Sequence, residues 1–372
     1  LDFLKEKLDA GFEVVCIDNL SSSNISNIEK FNSYRNFIFI KHDMNTPFFI
    51  EVNEVYSFIN DVNDKIKDNI RMLIEKNKIE ENRAIKMDNK SSDDIKTISI
   101  IGTGYVGLTF AAILSNIGYK VYTVDIDESK IDIVRSGKSY FFEPGLDKFI
   151  EAGIRSGNLI PTTLYKEAIP ESDVVFICVG TPATEDGSTN LDYVFDSAKE
   201  IALNATKDLI VVQKSTVPVK TSRETKRILD KNNINGVNIE ILSNPEFLRE
   251  GSAIFDTLFF DRVVIGGEKE SSLKVAEIYS KVDDFAKGLD IEEFNEYAFL
   301  NINSKYIENM PEFSKRLILI DNIESSELIK VTSNSFLALK IAFANTVARI
   351  CDKTGADSKS VFDGVGMDNR IG

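Results

Sequence analysis

One histidine, His42, stands in the 372 residues. That scarcity removes Ser-His-Asp hydrolysis, Cys–His pairs and histidine-rich metal sites in one stroke. Cysteine is almost as rare. Cys16, Cys178 and Cys351 are odd in number and far apart, so they give neither a disulfide framework nor a Cys-x-x-Cys metal site, and no metal is expected. Cys16 and Cys178 sit in apolar, strand-like runs; all three read as small buried hydrophobes in a reducing cytosol. No run of about 18 or more apolar residues occurs, so no membrane span is expected. The opening residues Leu1-Asp2-Phe3-Leu4-Lys5-Glu6-Lys7 are too charged for a signal peptide, and no initiator methionine precedes them. The sequence reads as open at both ends. Positive charge is in deficit, with 44 Lys and Arg against 59 Asp and Glu. A net acidic surface repels nucleic acid, yet leaves room for an anionic nucleotide held by helix N-termini and single cations.

What is present is an ordinary globular composition, 43% hydrophobic and 28% charged, with length for about two to three domains. Residues 1–60 read as a partial Rossmann-like fragment: a strand over 12–18 ending in Asp18, a polar Asn19-Leu20-Ser21-Ser22-Ser23 turn, and a strand over 37–43 ending in Asp43. Over 61–96, Ile66, Ile70, Leu73 and Ile74 recur at helical spacing before a Lys-, Asp- and Asn-rich linker. From residue 97, apolar runs at 97–101, 120–125, 174–179, 209–212, 239–242 and 262–265 alternate with helical stretches. That alternation predicts an α/β fold, a Rossmann-type, doubly wound and mainly parallel sheet over 97–320. A long, broadly apolar helix over 325–353 should follow, within a helical dimerisation segment at 321–372.

The strand at 97–101 runs into Gly102-Thr103-Gly104-Tyr105-Val106-Gly107, a helix follows, and the next strand ends at Asp125. A bare Gly-x-Gly-x-x-Gly is weak, but the strand before it and the helix after it make it a dinucleotide fingerprint. Gly102 permits the tight turn, Gly104 lets backbone approach a pyrophosphate, and Gly107 lets helix and strand pack closely. Asp125 can accept from both ribose hydroxyls and would repel a 2′-phosphate, which favours NAD over NADP.

Further stretches occur in order: Glu143-Pro144-Gly145-Leu146, Val179-Gly180-Thr181-Pro182, Lys214-Ser215-Thr216-Val217-Pro218, and Asn244-Pro245-Glu246-Phe247-Leu248-Arg249-Glu250-Gly251. Lys330-Val331-Thr332-Ser333-Asn334-Ser335-Phe336-Leu337-Ala338 and Gly366-Met367-Asp368-Asn369-Arg370-Ile371-Gly372 complete the set. With the glycine turn, this ordered set resembles the UDP-glucose 6-dehydrogenase family over about 97–372. The resemblance implies oxidation of a sugar alcohol to a carboxylate by two NAD-dependent hydride transfers, through cysteine-bound intermediates. It implies Lys330 and Asn334 at the C6 oxygen, Glu250 as the water-orienting carboxylate with Thr216 as its hydroxyl partner, and Glu246 as an acid near the lysine. Phe247, Leu248 and Arg249 would grip the sugar diphosphate, and Arg370 would reach the substrate of a neighbouring subunit in a homodimer. Tyr105, Val106, Glu143, Thr181 and Thr216 match positions lining the NAD pocket.

Residues 1–60 in turn resemble part of an extended short-chain dehydrogenase, such as a UDP-glucuronate decarboxylase or epimerase. No Tyr-x-x-x-Lys pair is present to do that family's proton transfer, so a non-catalytic remnant is expected. The main resemblance is also imperfect. Lys220 stands where a glycine is expected and could crowd a loop near the nicotinamide side. Phe260 replaces a proline, and residues around 283–314 look like an acidic, aromatic insertion. The catalytic cysteine of the family would follow the terminal motif, so the sequence reads as an incomplete copy. An NAD-binding or regulatory protein without turnover, and a dehydrogenase of GDP-mannose or an N-acetylated UDP-hexosamine, stand as alternatives.

Overall fold

The computed structural model describes residues 95–298, 304–368 and 371, together with the strands Val14–Asp18 and Phe37–Lys41. The helix and linker expected over 61–94, His42, Asp43 and Arg370 lie outside them, as does the side chain of Asp18. The chain divides into two compact units, one of Ile66–Thr346 and one of Leu1–Lys65 with Val347–Gly372. In the latter, β1 (Val14–Asp18) and β2 (Phe37–Lys41) pair in parallel, from Val14 with Phe37 to Asp18 with Lys41.

The larger unit is built on an eight-stranded sheet. Its elements begin β3 (Thr97–Ile101), α1 (Tyr105–Ile117), β4 (Lys120–Val124), α2 (Glu128–Arg135), α3 (Leu146–Ser156), β5 (Leu159–Thr162), α4 (Tyr165–Ala168) and β6 (Val174–Ile177). They continue with α5 (Asp192–Asn204), β7 (Leu209–Gln213), α6 (Thr221–Asn232), β8 (Ile239–Ser243), α7 (Ala253–Leu258), β9 (Val263–Gly266) and α8 (Lys269–Lys287). Then come α9 (Ile291–Ala298), α10 (Ser304–Glu308), α11 (Phe313–Arg316), β10 (Leu317–Ile320), α12 (Ile323–Thr354) and α13 (Ser358–Gly366). The last part of α12 and all of α13 fall in the smaller unit.

Strand order across the sheet is β10-β9-β8-β7-β6-β3-β4-β5. The six strands from β8 to β5 are parallel. β9 joins β8 antiparallel through Ser243 and Gly266, and β10 lies parallel to β9. Both faces of the sheet are covered. In β6, Val174 and Phe176 enter one apolar cluster while Val175 and Ile177 enter the other, so the strand reads as an unbroken apolar run. Each such fully buried side chain contributes about 1.5–3 kcal/mol over leaving it in water. α1 packs in the first cluster, buried from Gly107 to Ser115, and ends at Gly118, whose φ of 114° only glycine adopts without strain.

The strands expected from sequence are all present with ends moved by one or two residues: 120–125 stops at Val124, 174–179 at Ile177, and 262–265 begins at Val263. β5 and β10 were not expected. The region around 283–314, expected as an insertion, begins inside α8, where Asp283, 2% exposed at its side chain, pairs with Arg316 and with Lys287 at 2.7 Å.

Candidate active site

The order of strands reverses between β3 and β6, and ligands of doubly wound sheets bind at that crevice, beyond the carboxyl ends of the strands. Here β3 ends in the glycine turn. Gly102 has φ +97°, and a side chain there would put its Cβ 2.7 Å from the Cys178 carbonyl oxygen. A Cβ on Gly107 would lie 1.9 Å from the Gly102 carbonyl oxygen. These two glycines answer to packing. Gly104 does not: nothing lies within 4 Å of a Cβ placed there, which leaves space for a ligand against its backbone. Gly104 is also the N-cap of α1, with no side-chain cap and no acid in the first turn. The amides of Tyr105 and Val106 therefore form a positive end with room for a phosphate.

Asp125 follows β4. Its Oδ2 accepts from the Thr103 amide at 2.9 Å and the Thr103 hydroxyl at 2.6 Å, and its Oδ1 from the Asp127 amide at 3.1 Å. The carboxylate is thus fixed beside the turn before any ribose arrives. Aromatic residues that sequence reasoning passed over close the other side of the turn. Tyr140 donates its hydroxyl to the Thr103 carbonyl at 2.8 Å, and Phe141 lies 4.1 Å from the Tyr105 ring. Burial pushes the Tyr140 phenol up to about 12. The Tyr140-Phe141-Phe142 run directly before Glu143 was the available signal. The donors, the open backbone and the placed carboxylate fit a dinucleotide.

Beyond β6, the Thr181 hydroxyl donates to the Thr216 carbonyl at 2.8 Å, and the Ser215 hydroxyl to the Val179 carbonyl at 2.7 Å. These tie the loops after β6 and β7 into one wall. Glu143, expected to line the cofactor pocket, reaches the loop after β8. Only 6% exposed, its carboxylate accepts from the Gly251 amide at 2.9 Å and the Ile254 amide at 3.3 Å. Burial raises its pKa from 4.5 to about 7, against the pull of those N–H donors.

The loop after β8 starts at Asn244, whose Oδ1 accepts from Lys214 Nζ at 3.2 Å and from the Tyr279 hydroxyl, and whose Nδ2 donates to the Val264 carbonyl at 2.8 Å. Two residues on, Glu246 Oε1 meets Lys330 Nζ at 2.7 Å, with side chains 13% and 5% exposed. Sequence reasoning placed these two together, and they touch. Glu246 Oε2 accepts from the Leu248 amide at 2.6 Å, curling the loop over the pair. Arg262 lies 3.8 Å above the Phe247 ring, and Lys330 Nζ lies 5.5 Å from the same ring. Arg249 turns inward to Asp256, with Nη2 to Oδ1 at 2.6 Å and Nε to Oδ2 at 3.0 Å. Glu250 is exposed, while Thr216 and Asn334 are half-buried.

Lys330 and Asn334 lie one turn apart on α12, as their spacing implied. Glu327, three residues earlier, was missed. Buried at 2% exposure, its carboxylate accepts from the Lys220 amide at 2.6 Å and the Ser222 amide at 2.7 Å, capping α6 from a different element. Its i, i+3 relation to Lys330 put it on the same helix face and was the available signal. Among the described residues, no group of three or more His, Cys, Asp or Glu side chains could hold a metal ion.

Residues 96–283 match the NAD binding domain of the UDP-glucose/GDP-mannose dehydrogenase family, and residues 324–372 match its central domain. The chain belongs to this family of NAD-dependent oxidoreductases. A UDP-glucose 6-dehydrogenase of Bacillus subtilis is 40% identical over 275 residues, covering 74% of this chain and 56% of the relative. One from Rhizobium meliloti is 40% identical over 276 residues, covering 74% and 57%. The chain thus spans a little over half the length of these two relatives. Among solved structures, a UDP-glucose dehydrogenase of Pyrobaculum islandicum aligns with a TM-score of 0.64 at 33% identity, covering 76% of this chain and 59% of that one. A GDP-mannose dehydrogenase of Pseudomonas aeruginosa aligns with a TM-score of 0.62 at 32% identity, covering 74% and 57%. The stretch that matches the family's NAD binding domain contains the glycine turn and Asp125.

Proposed function

We propose that the protein serves as a cytoplasmic, NAD-dependent nucleotide-sugar dehydrogenase that oxidises UDP-glucose to UDP-glucuronate in two hydride transfers. The observation that carries this reading is the buried Lys330–Glu246 pair, whose glutamate follows the carboxyl end of β8 as the glycine turn follows that of the parallel strand β3. UDP-glucose is favoured because curated relatives named for it reach 40% identity.

NAD, when bound, supplies the hydride acceptor for both oxidations. The chain's own residues hold and orient. The turn of Gly102, Gly104 and Gly107 with the amides of Tyr105 and Val106 takes the pyrophosphate, Asp125 takes the ribose hydroxyls, and Thr181 and Thr216 wall the nicotinamide side. Lys330 is a fixed cation for the oxyanion that develops on the sugar's C6 oxygen. Glu246 keeps that ammonium aimed, and Asn334 adds an amide donor one turn on. Phe247, Leu248 and Arg249 hold the sugar diphosphate, Glu250 with Thr216 orients water, and Arg370 serves a neighbouring subunit's substrate. Cys178 and Cys351 are buried, and burial pushes the Cys178 thiol up to about 12, so neither is the attacking thiolate.

The reading includes a homodimer through α12, supported by the exposed Leu328, Phe336, Leu339 and Phe343. NAD titrated into the chain should bind saturably, and Gly104→Val should abolish binding, because the added side chain meets only the space left for the pyrophosphate. Absent saturation, or equal binding by the variant, the cofactor site is wrong. With UDP-glucose and NAD the chain should give no steady NADH; sustained NADH production would place the nucleophile inside it.

A further inference from the structure

Residues 284–323 lie between the two stretches that match the family. Within them, α9, α10 and α11 lay aromatic side chains against the helix that ends the sugar-nucleotide loop. On α7, Phe255 lies 5.8 Å from the Tyr306 ring. Just beyond α7, Phe259 lies 6.1 Å from Tyr306 and 5.9 Å from Phe294, both edge to face. The next residue is Phe260, which stands where the family pattern has proline. Its ring meets Phe313 at 6.1 Å and the Arg316 guanidinium at 4.7 Å, and its carbonyl accepts from Arg316 Nη1 at 3.1 Å. Arg316 is itself anchored, donating Nε to the Pro311 carbonyl at 2.9 Å and pairing with Asp283.

These two departures from the family pattern, an extra segment and a phenylalanine for a proline, therefore touch each other. Both also act on the loop from its two ends. α7 carries Asp256, which clamps Arg249. Two residues after Phe260, Arg262 covers the Phe247 ring. We propose that Phe260 and the described residues of 284–298 and 304–316 form a single buttress that fixes residues 246–258, the loop and helix assigned to the sugar diphosphate. The buttress stands on contacts alone; only the name of the loop's ligand rests on the proposed function. Tyr306, Phe313 and Phe260 are positioning residues, acting through Asp256 and Arg262.

Hydrogen exchange read peptide by peptide on the whole chain tests this. Tyr306 is 42% exposed and Phe313 part-buried, so Tyr306→Ala and Phe313→Ala should both fold. Each removes ring contacts, and exchange across 246–258 should rise roughly 2- to 10-fold. Exchange in β3, β4 and β6 should stay at its parent rate, as it should everywhere in Tyr193→Ala, a control half-exposed on α5. Unchanged exchange across 246–258 in both variants overturns the buttress. So does a rise shared equally by β3 and β4, which would mark general loosening. A parent chain that failed to bind NAD would count against the proposed function and leave this result readable.

Discussion

Single residues carry most of the site's electrostatics, and Glu143 is the one whose charge should be measurable. Its carboxyl titrates at about 7 when folded, against 4.5 for an ordinary glutamate. A carboxyl with a raised folded pKa binds its proton more tightly in the native state. Its contribution to stability is full below the unfolded value and is lost as pH climbs through the folded one. Thermal unfolding of the parent should therefore fall between about pH 4.5 and pH 7 more steeply than that of Glu143→Gln. Equal slopes in the two proteins would show that Glu143 does not titrate there. At this scale the sequence was legible where a residue's type is its role. The Gly-x-Gly-x-x-Gly turn, Asp125 and the Glu246–Lys330 partnership were all readable in advance. Lys220 was legible only in part. It does stand at a glycine position, but the reason is its φ of +80°, the single positive value among non-glycine residues described. Its side chain is exposed and its amide is held by Glu327; backbone strain explains the expected glycine. The amide partners of Glu143 were not legible, because a buried carboxylate chooses its donors in three dimensions.

Among elements, α12 makes the sharpest claim. It supplies Lys330 and caps α6 from one face, while Leu339 is 64% and Phe343 58% exposed on its surface. Leu339→Lys, which disturbs no buried packing, should convert a dimer to a monomer in sedimentation at micromolar concentration. A parent already monomeric there would defeat the pairing. Helix α12 was legible because its apolar pattern is long. Two strands were not. β5 is four residues, Leu-Ile-Pro-Thr, and Pro161 argues against a strand; it survives because β5 is the sheet's edge. β10 is equally short and follows a stretch whose acidic, aromatic composition drew attention to an insertion rather than to pairing with β9.

For the molecule entire, cofactor binding should appear as added stability. NAD at about 100 times its dissociation constant should raise the unfolding free energy by about 2.7 kcal/mol. NADP at equal concentration should add less, since Asp125, in the ribose site proposed above, would repel its 2′-phosphate. Equal protection by the two would remove Asp125 from the ribose site. The doubly wound plan behind this was legible in the alternation of strands and helices, because both faces of each central strand are apolar. The outer strands depend on the antiparallel join of β9 to β8, which no local pattern announces.

That join has a mechanical meaning. Across β3, β4, β6 and β7, force is shared by ladders of four or five register pairs loaded together. Between β8 and β9 it passes through Ser243 and Gly266, reinforced by the Asn244 side-chain amide on the Val264 carbonyl. The sheet is in effect a plate scored along one line. Tension across it would tear there first, peeling β9 and β10 from the six strands and leaving the nucleotide crevice whole.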